Sequence, residues 1–376
     1  MSKTDMARKN HETKEFIMKK ILVIASTMLF GFIGAHAAGT AAGTSVTNSA
    51  TLNYTVGTVA QTAIVSNTDT FVVDNKIDLT VVHQDAAIVE VTPGATAQVL
   101  TYTVTNTGNK VQDYSLTQTA NDGNPFGATD NFDATGVSIF VDSNGNGVYD
   151  AGTDTATFID ELAPDAAVKV FIVADIPSGQ ADGDVAEYTL TAQVAQGGTA
   201  STQGADILTD DSGTADTAAG EEIVFADGDG AGATEGANDG KHADNNAFKV
   251  VTATLTSVKS SCVVSDPVNA GTNPKRIPGA VVRYSIEVAN SGTADATSVS
   301  ISDTLAAEFG TSAAGLEVRT AACAGIDAGT NACAAKTGTV EPVGGTTGAG
   351  TSSVTLDYAT VAAGTTECGY IDVTIQ

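Results

Sequence analysis

The chain reads as all-β: two immunoglobulin-like β-sandwiches plus an N-terminal strand segment. Three observations carry that reading. Short runs of alternating apolar and Thr/Ser residues recur between Gly-, Pro- and Asn-bearing turns. Thr, Ala, Val, Gly and Asp dominate, Trp is absent and aromatics make up 5% of the chain, a composition suited to short strands rather than helices. One pattern also occurs twice. PGATAQVLTYTVTNTGN from Pro93 and PGAVVRYSIEVANSGT from Pro278 are each a Pro-Gly turn, an alternating strand and an Asn-x-Gly turn. LAPDAAVKVFIVADI (162–176) is echoed by VAAGTTECGYIDVTI (361–375). The first copy continues into AEYTLTAQV (186–194), whereas the second has no such strand before Gln376. A sandwich short of a strand is expected to take one from elsewhere.

Residues 1–37 read as a secretory signal with Met18 as the true start. Met18-Lys19-Lys20 is the basic region, Ile21 to Ala35 the apolar core, and Ala35-His36-Ala37 the small-x-small cleavage site. The apolar run is about 15 residues, short for a membrane span, and no second one follows, so no span is expected after cleavage. The chain is therefore expected to be exported, to the cell surface or the extracellular space. Residues 38–75 form a Thr-rich strand segment in which Val46, Ala50, Leu52, Tyr54 and Val56 point one way, with Ser, Thr and Asn between them. Residues 76–200 form the first sandwich. Residues 201–248, rich in Asp, Glu, Gly and Ala, break the strand rhythm and read as an acidic linker or an elaborated loop. Residues 249–376 form the second sandwich.

Within the second sandwich KRIPGAVVRYSIEVANSGTADATSVSISDTL (275–305) resembles the repeat called "domain of unknown function eleven", found in exported bacterial surface proteins. The resemblance is looser over 76–196. It implies a β-sandwich used as a structural or adhesive building block, with no catalytic residues to carry over. The last strand of that repeat typically reads AGTxxxNxAxxxY. The second sandwich lacks it, and AGTSVTNSATLNY (42–54) matches it closely.

The net charge of −27 excludes nucleic acid and anionic lipid as partners, because both would be repelled. It favours divalent cations. In DSNGNGVYDAGTD, Asp142, Asn144, Asn146, the Val148 carbonyl and Asp150 occupy alternate positions of a Gly-bent loop, which suits the hard oxygen ligands of calcium. Thr153 stands where an EF-hand carries Glu, and Asp154 is the substitute one residue later. Calcium is the expected cofactor, at an affinity of about 10⁻⁴–10⁻³ M. The competing reading is a pair of Asn-Gly hairpin turns. Cys262, Cys323, Cys333 and Cys368 are an even set in an exported chain and read as disulfides. Of the three possible pairings, Cys323–Cys333 and Cys262–Cys368 are expected.

Enzymatic readings find no footing. The mature chain has only His83 and His242, and no nucleophile elbow, HExxH pair or phosphate-binding loop occurs. The expected function is a non-enzymatic structural protein of the cell surface or matrix. In it Val46, Ala50, Leu52, Tyr54 and Val56 belong to a donor strand that joins one copy head-to-tail to the next. Three alternatives stand beside it: the segment completes a sandwich of its own chain, the second sandwich is six-stranded and needs no partner, or the protein is a monomeric calcium-dependent adhesin or spacer. The partners are accordingly other copies of the chain or another surface protein.

Overall fold

The two Pro-Gly turns open the same strand in two copies of one architecture. Gly94 and Gly279 both hold φ near +80°, a conformation that glycine adopts without a Cβ penalty. Their amides donate to Ile176 O and Ile375 O, at 3.0 and 2.8 Å. The structure is a computed structural model that describes residues 39–120, 126–231, 236–309, 313–340 and 353–376. The signal sequence read over 1–37 lies outside them. Among the described residues the fold is all-β. Among those residues no helix is long and apolar enough to cross a membrane.

Six short strands come first: β1 (Ser45–Asn48), β2 (Thr51–Leu52), β3 (Thr55–Val56), β4 (Val59–Ala60), β5 (Ile64–Val65) and β6 (Asp69–Val72). They pair antiparallel as β1 with β6, β2 with β5 and β3 with β4, giving one long hairpin that turns at Gly57. The first sandwich contains β7 (Asn75–Ile77), β8 (Leu79–His83), β9 (Val89–Val91), β10 (Gln98–Asn106), β11 (Gln112–Ala120), β12 (Thr135–Val141), β13 (Ile159–Leu162), β14 (Ala167–Asp175), β15 (Val185–Gln196), β16 (Ile223–Phe225) and β17 (Lys241–Val250). One sheet has the order β12-β14-β10-β8 and the facing sheet β13-β11-β15-β17-β9. Leu79, Leu100, Tyr102, Ile172, Tyr188, Leu190 and Phe248 fill the space between them.

The second sandwich contains β18 (Leu255–Ser265), β19 (Val281–Asn290), β20 (Ala296–Thr304), β21 (Ala313–Arg319), β22 (Ser353–Val361) and β23 (Thr366–Thr374). Its orders are β18-β19-β23-β21 and β20-β22. These six match β8, β10, β11, β12, β13 and β14 in chain order and in sheet position. A buried asparagine marks the equivalence. Asn106 donates to Lys110 O and Leu162 O, and Asn290 to Ala294 O and Val361 O, all within 2.8–3.0 Å. Each accepts from a glycine two residues on, Gly108 or Gly292. A Cβ on either glycine would stand 2.4 Å from Lys76 O or 2.1 Å from Thr252 O, so the Asn-x-Gly turn admits no larger residue.

The structure corrects two expectations. Residues 201–248 do not bridge two modules. β16 pairs parallel with β7, and β17 lies between β15 and β9, so the acidic stretch completes the first sandwich. Phe248, the last residue of the stretch read as linker or loop, is fully buried in the core of the first. The acidic side chains serve as acceptors for backbone amides. Asp211 takes the Ile223 amide, Asp210 that of Phe225, and Asp227 those of Asp239 and Gly240, all at 3.0–3.1 Å. The disulfides are the second correction: they join Cys262 to Cys333 and Cys323 to Cys368. β21 pairs with β23 so that Arg319 faces Cys368, which delivers Cys323 to it four residues later. The Cys333 amide donates to Val263 O beside Cys262. Sheet register decided the pairing, and closeness in sequence did not.

His242 on β17 accepts the Val81 amide at 3.1 Å, while Asp244 takes the amide and ring nitrogen of His83 at 2.7 and 2.8 Å. These bonds tie the edge of one sheet to the other. Burial pushes the His242 pKa down, against the opposing pull of Asp244, Asp227 and Asp78. The unfolded chain then binds a proton that the folded one resists. Stability conferred by neutral His242 is complete above the unfolded value of about 6.5 and is lost as pH falls through and below it. Denaturant melts at pH 7.5 and 5.0 should show a smaller acid loss in His242→Gln than in the parent. Equal losses would remove His242 as a cause.

Candidate functional site

In the first sandwich β11 carries β15 on its free side, and β15 carries β17. The counterpart of β11 is β20, and it pairs only with β22. Among the described residues no strand lies against its other edge. Backbone N–H and C=O groups along such an edge are a template for another strand.

Side chains report the same gap. Register places Leu79 opposite Asn106, and Leu255 opposite Asn290, so the two leucines are equivalent. Leu79 is 0% exposed and Leu255 43%. The cover over Leu79 is β17, packed along β8. Among the described residues β18 has no such neighbour, and its inward residues Leu255, Ser257 and Lys259 lie opposite Asn290, Val288 and Ile286 of β19 along an open groove. The far wall of the groove is β20, with half-buried Val299 and Ile301 packed on the core. Lys259 reaches across to both carboxylate oxygens of Asp303 on β20, at 2.7 Å, and sits 4.4 Å from the Tyr284 ring centroid. Its counterpart in the first sandwich is His83, which instead meets Asp244 of the covering strand.

The expected donor residues are all in the hairpin. Leu52 pairs with Ile64, Val56 with Val59, and Val46 with Phe71. Leu52 is 58% exposed, Val56 63% and Ile64 53%. Ala50 and Tyr54 are exposed too, and Val46 is half-buried near the base. The segment does not enter either sandwich of its own chain, so self-completion is not what this structure adopts. Its partner strand, β4 to β6, supplies a second row of apolar residues beside the expected donor row. The signal was present in the sequence as Val59, Ile64 and Phe71.

The hairpin, called the arm below, is rooted at one pole of the first sandwich. Ala42 N–H donates to Asn109 O, the Asn109 side chain to Thr40 O and Asp74 O, and Val72 N–H to Ala218 O. The second sandwich leaves from the other pole, where Thr252 N–H donates to Asp182 beside the start of β15. β15 runs the length between, about 36 Å for a strand of this size.

The expected calcium loop is gathered but internally bonded. Asp142 accepts the amides of Gly145 and Gly147, both at 2.8 Å, and Asp154 those of Ser143 and Asp150, at 2.9 and 2.8 Å. Asn144 and Asn146 donate their side-chain amides to Asp150, which holds its carboxyl below the usual range. Val148 is exposed, and its amide donates to Asn146. Tyr149 stacks on Phe140, 5.2 Å between centroids, and anchors the loop to the sheet. The acidic triads whose oxygens lie within 4.8 Å of one another are elsewhere: Asp74, Asp216 and Glu222, and Asp113, Asp160 and Glu161. Asp113 and Asp160 already accept the amides of Glu161, Gly204 and Ser201, which gives them a structural use.

No protein-family model matches the chain, and no curated protein matches it in sequence. Among solved structures, it is similar to the C-terminal domain of an AgI/II polypeptide of Streptococcus agalactiae, at 12% identity and a TM-score of 0.33, over 79% of this chain and 91% of that one. It is also similar to a serine-rich repeat adhesion glycoprotein of the same species, at 8% identity and a TM-score of 0.20, over 80% and 88%. A third is a chain of a chaperone–tip adhesin complex of CFA/I fimbriae, at 8% identity and a TM-score of 0.21, over 78% and 92%.

Leu79 and Leu255 give a direct test of the open groove. Leu79→Ala should cost about 2–5 kcal/mol, the range for a buried leucine. In monomeric protein Leu255→Ala should cost under about 1 kcal/mol, because little packing is lost at an exposed site. Equal losses in denaturant melts would mean that the groove is covered.

Proposed function

We propose that this chain is an exported, non-enzymatic structural subunit of the cell surface or extracellular matrix. Copies associate head-to-tail, the arm of one adding strand structure to the open edge of β20 in the next. The observation that carries the proposal is the contrast between Leu79, sealed beneath β17, and Leu255, left open beside an unpaired edge. Burial of apolar side chains and the pairing of free backbone groups both favour completion. The arm and the groove lie toward opposite poles, so the contact is heterologous and propagates rather than closes. The likeness of 275–305 to an exported surface repeat points the same way. A non-catalytic role agrees with the use of both histidines: His83 and His242 are spent in fastening β8 to β17.

A second reading, a monomeric calcium-dependent adhesin or spacer, rests on the gathering of Asp142, Asn144, Asn146, Asp150 and Asp154 in one anchored loop. The two readings differ in assembly state. Mature protein from Ala38 should sediment as polymers, and Leu52→Asp, which sets a charge in the apolar row, should leave it monomeric. Monomers in both would transfer the proposal to the second reading.

Calcium has its own test. With a dissociation constant of about 1 mM, 10 mM calcium adds about 1.4 kcal/mol of stability, which raises the melting temperature by a few degrees in the parent and not in Asp154→Asn. No rise in the parent would discard the site.

A further inference from the structure

We infer that the arm docks as an intact two-stranded hairpin, rather than as the single strand that its match to a terminal repeat strand suggests. The inference deepens the proposed function and rests on it. Its partner is a second copy of this chain, and the acceptor is the groove between β18 and β20.

The first sandwich shows how many strands the groove needs. Beyond β11 it adds two antiparallel neighbours, β15 and then β17. They do different work. β15 continues the ladder from β11, whereas β17 is the strand packed along β8. It is β17 that binds the Val81 and His83 amides through His242 and Asp244. A single strand added to β20 fills the place of β15 and leaves that of β17 empty. Leu255 and the edge of β18 would stay open. The arm already holds two antiparallel strands side by side, with residues 45–48, 51–52 and 55–56 facing residues 59–60, 64–65 and 69–72. It brings the missing pair in one piece.

Energetics favour the intact form. Freeing one strand breaks the arm's own ladder, including Ser66 N–H to Ala50 O at 2.8 Å and Gln61 N–H to Tyr54 O at 2.9 Å, and strands the returning half in water. Docking the hairpin keeps those bonds and adds new ones to β20. Charge fits as well. In a chain of net charge −27, residues 39–68 contain no Asp, Glu, Lys or Arg, so the arm carries only Asp69, near its base, and meets an acidic neighbour with little repulsion. It also lacks the lysines and prolines that ordinarily protect an exposed strand edge from pairing.

A locked arm separates the two modes. The Ser66–Ala50 bond makes Thr51 and Val65 a non-hydrogen-bonded pair, whose close Cα spacing accepts a disulfide. Thr51→Cys/Val65→Cys in the full mature chain, oxidised, is compared with parent and with the same variant after mild reduction. The engineered bond is exposed while Cys262 and Cys368 are buried, so it opens first. The expected result is assembly of the oxidised variant to within about twofold of the parent. Assembly only after reduction would overturn the hairpin and leave single-strand donation, with the proposed function intact. No assembly of the parent would overturn both. Should the first variant stay monomeric in either state beside an assembling parent, Thr55→Cys/Ala60→Cys, the equivalent pair beside the Gln61–Tyr54 bond, decides by the same criteria. Leu255→Cys gives a readout that leaves the arm untouched. Its alkylation should slow about tenfold or more on assembly, by exclusion of solvent, and an unchanged rate in polymers would refute the hairpin.

Discussion

A β-sandwich is stable when each sheet hides the inner face of the other and when the backbone groups along each strand find partners. In the second sandwich a four-stranded sheet faces a two-stranded one. Among the described residues the mismatch leaves one edge of β20 unpaired and one stretch of β18 uncovered, and the contrast between the two sandwiches follows from it. Lys259 and Asp303 span the gap in the single chain. An ion pair in contact with water contributes little, however, and it replaces neither the hydrogen bonds nor the apolar cover of two strands. The arm has what a strand partner would need: backbone in extended form and a double row of apolar side chains, with Asp69 beside Asn48 near the base as the one charge among the paired strands.

The two sandwiches share a construction in which local features fix the long-range ones. A Pro-Gly turn sets the start of the central strand and hands its amide to the end of the strand beside it. A buried asparagine at the other end clasps two loop carbonyls, and the glycine two residues on lets the backbones close to a distance no side chain tolerates. Because these devices recur at matching positions, the strands between them recur in order and in register. The additions that distinguish the first sandwich, β15 to β17, then stand out as having no counterpart among the described strands of the second.

The acidic residues have a use beyond solubility. In the first sandwich, side chains from 210 to 239 accept backbone amides at strand ends and turns, where no ladder partner exists. An acidic stretch that looks like a solvated linker can thus be ordered, because each carboxylate relieves an otherwise unsatisfied donor. The same logic organises the loop from Asp142 to Asp154.

The sequence alone determined the class of fold, the duplication, and the surplus strand of the first copy, since each follows from local periodicity and turn chemistry within a span of about 10 residues. It also marked Val46, Ala50, Leu52, Tyr54 and Val56 as a row of matching side chains, because alternation is visible in one strand at a time. Only the tertiary structure decided the rest. That β17 belongs to the first sandwich depends on pairing with β9, about 160 residues away, and that Cys323 meets Cys368 depends on the register of β21 against β23. The arm is a hairpin rather than a lone strand because residues 59–72 pair back on it. Whether Leu255 is open or sealed turns on which strands lie across from it. Long-range pairing leaves no local trace, because a strand's alternation states which face is apolar but not what covers it.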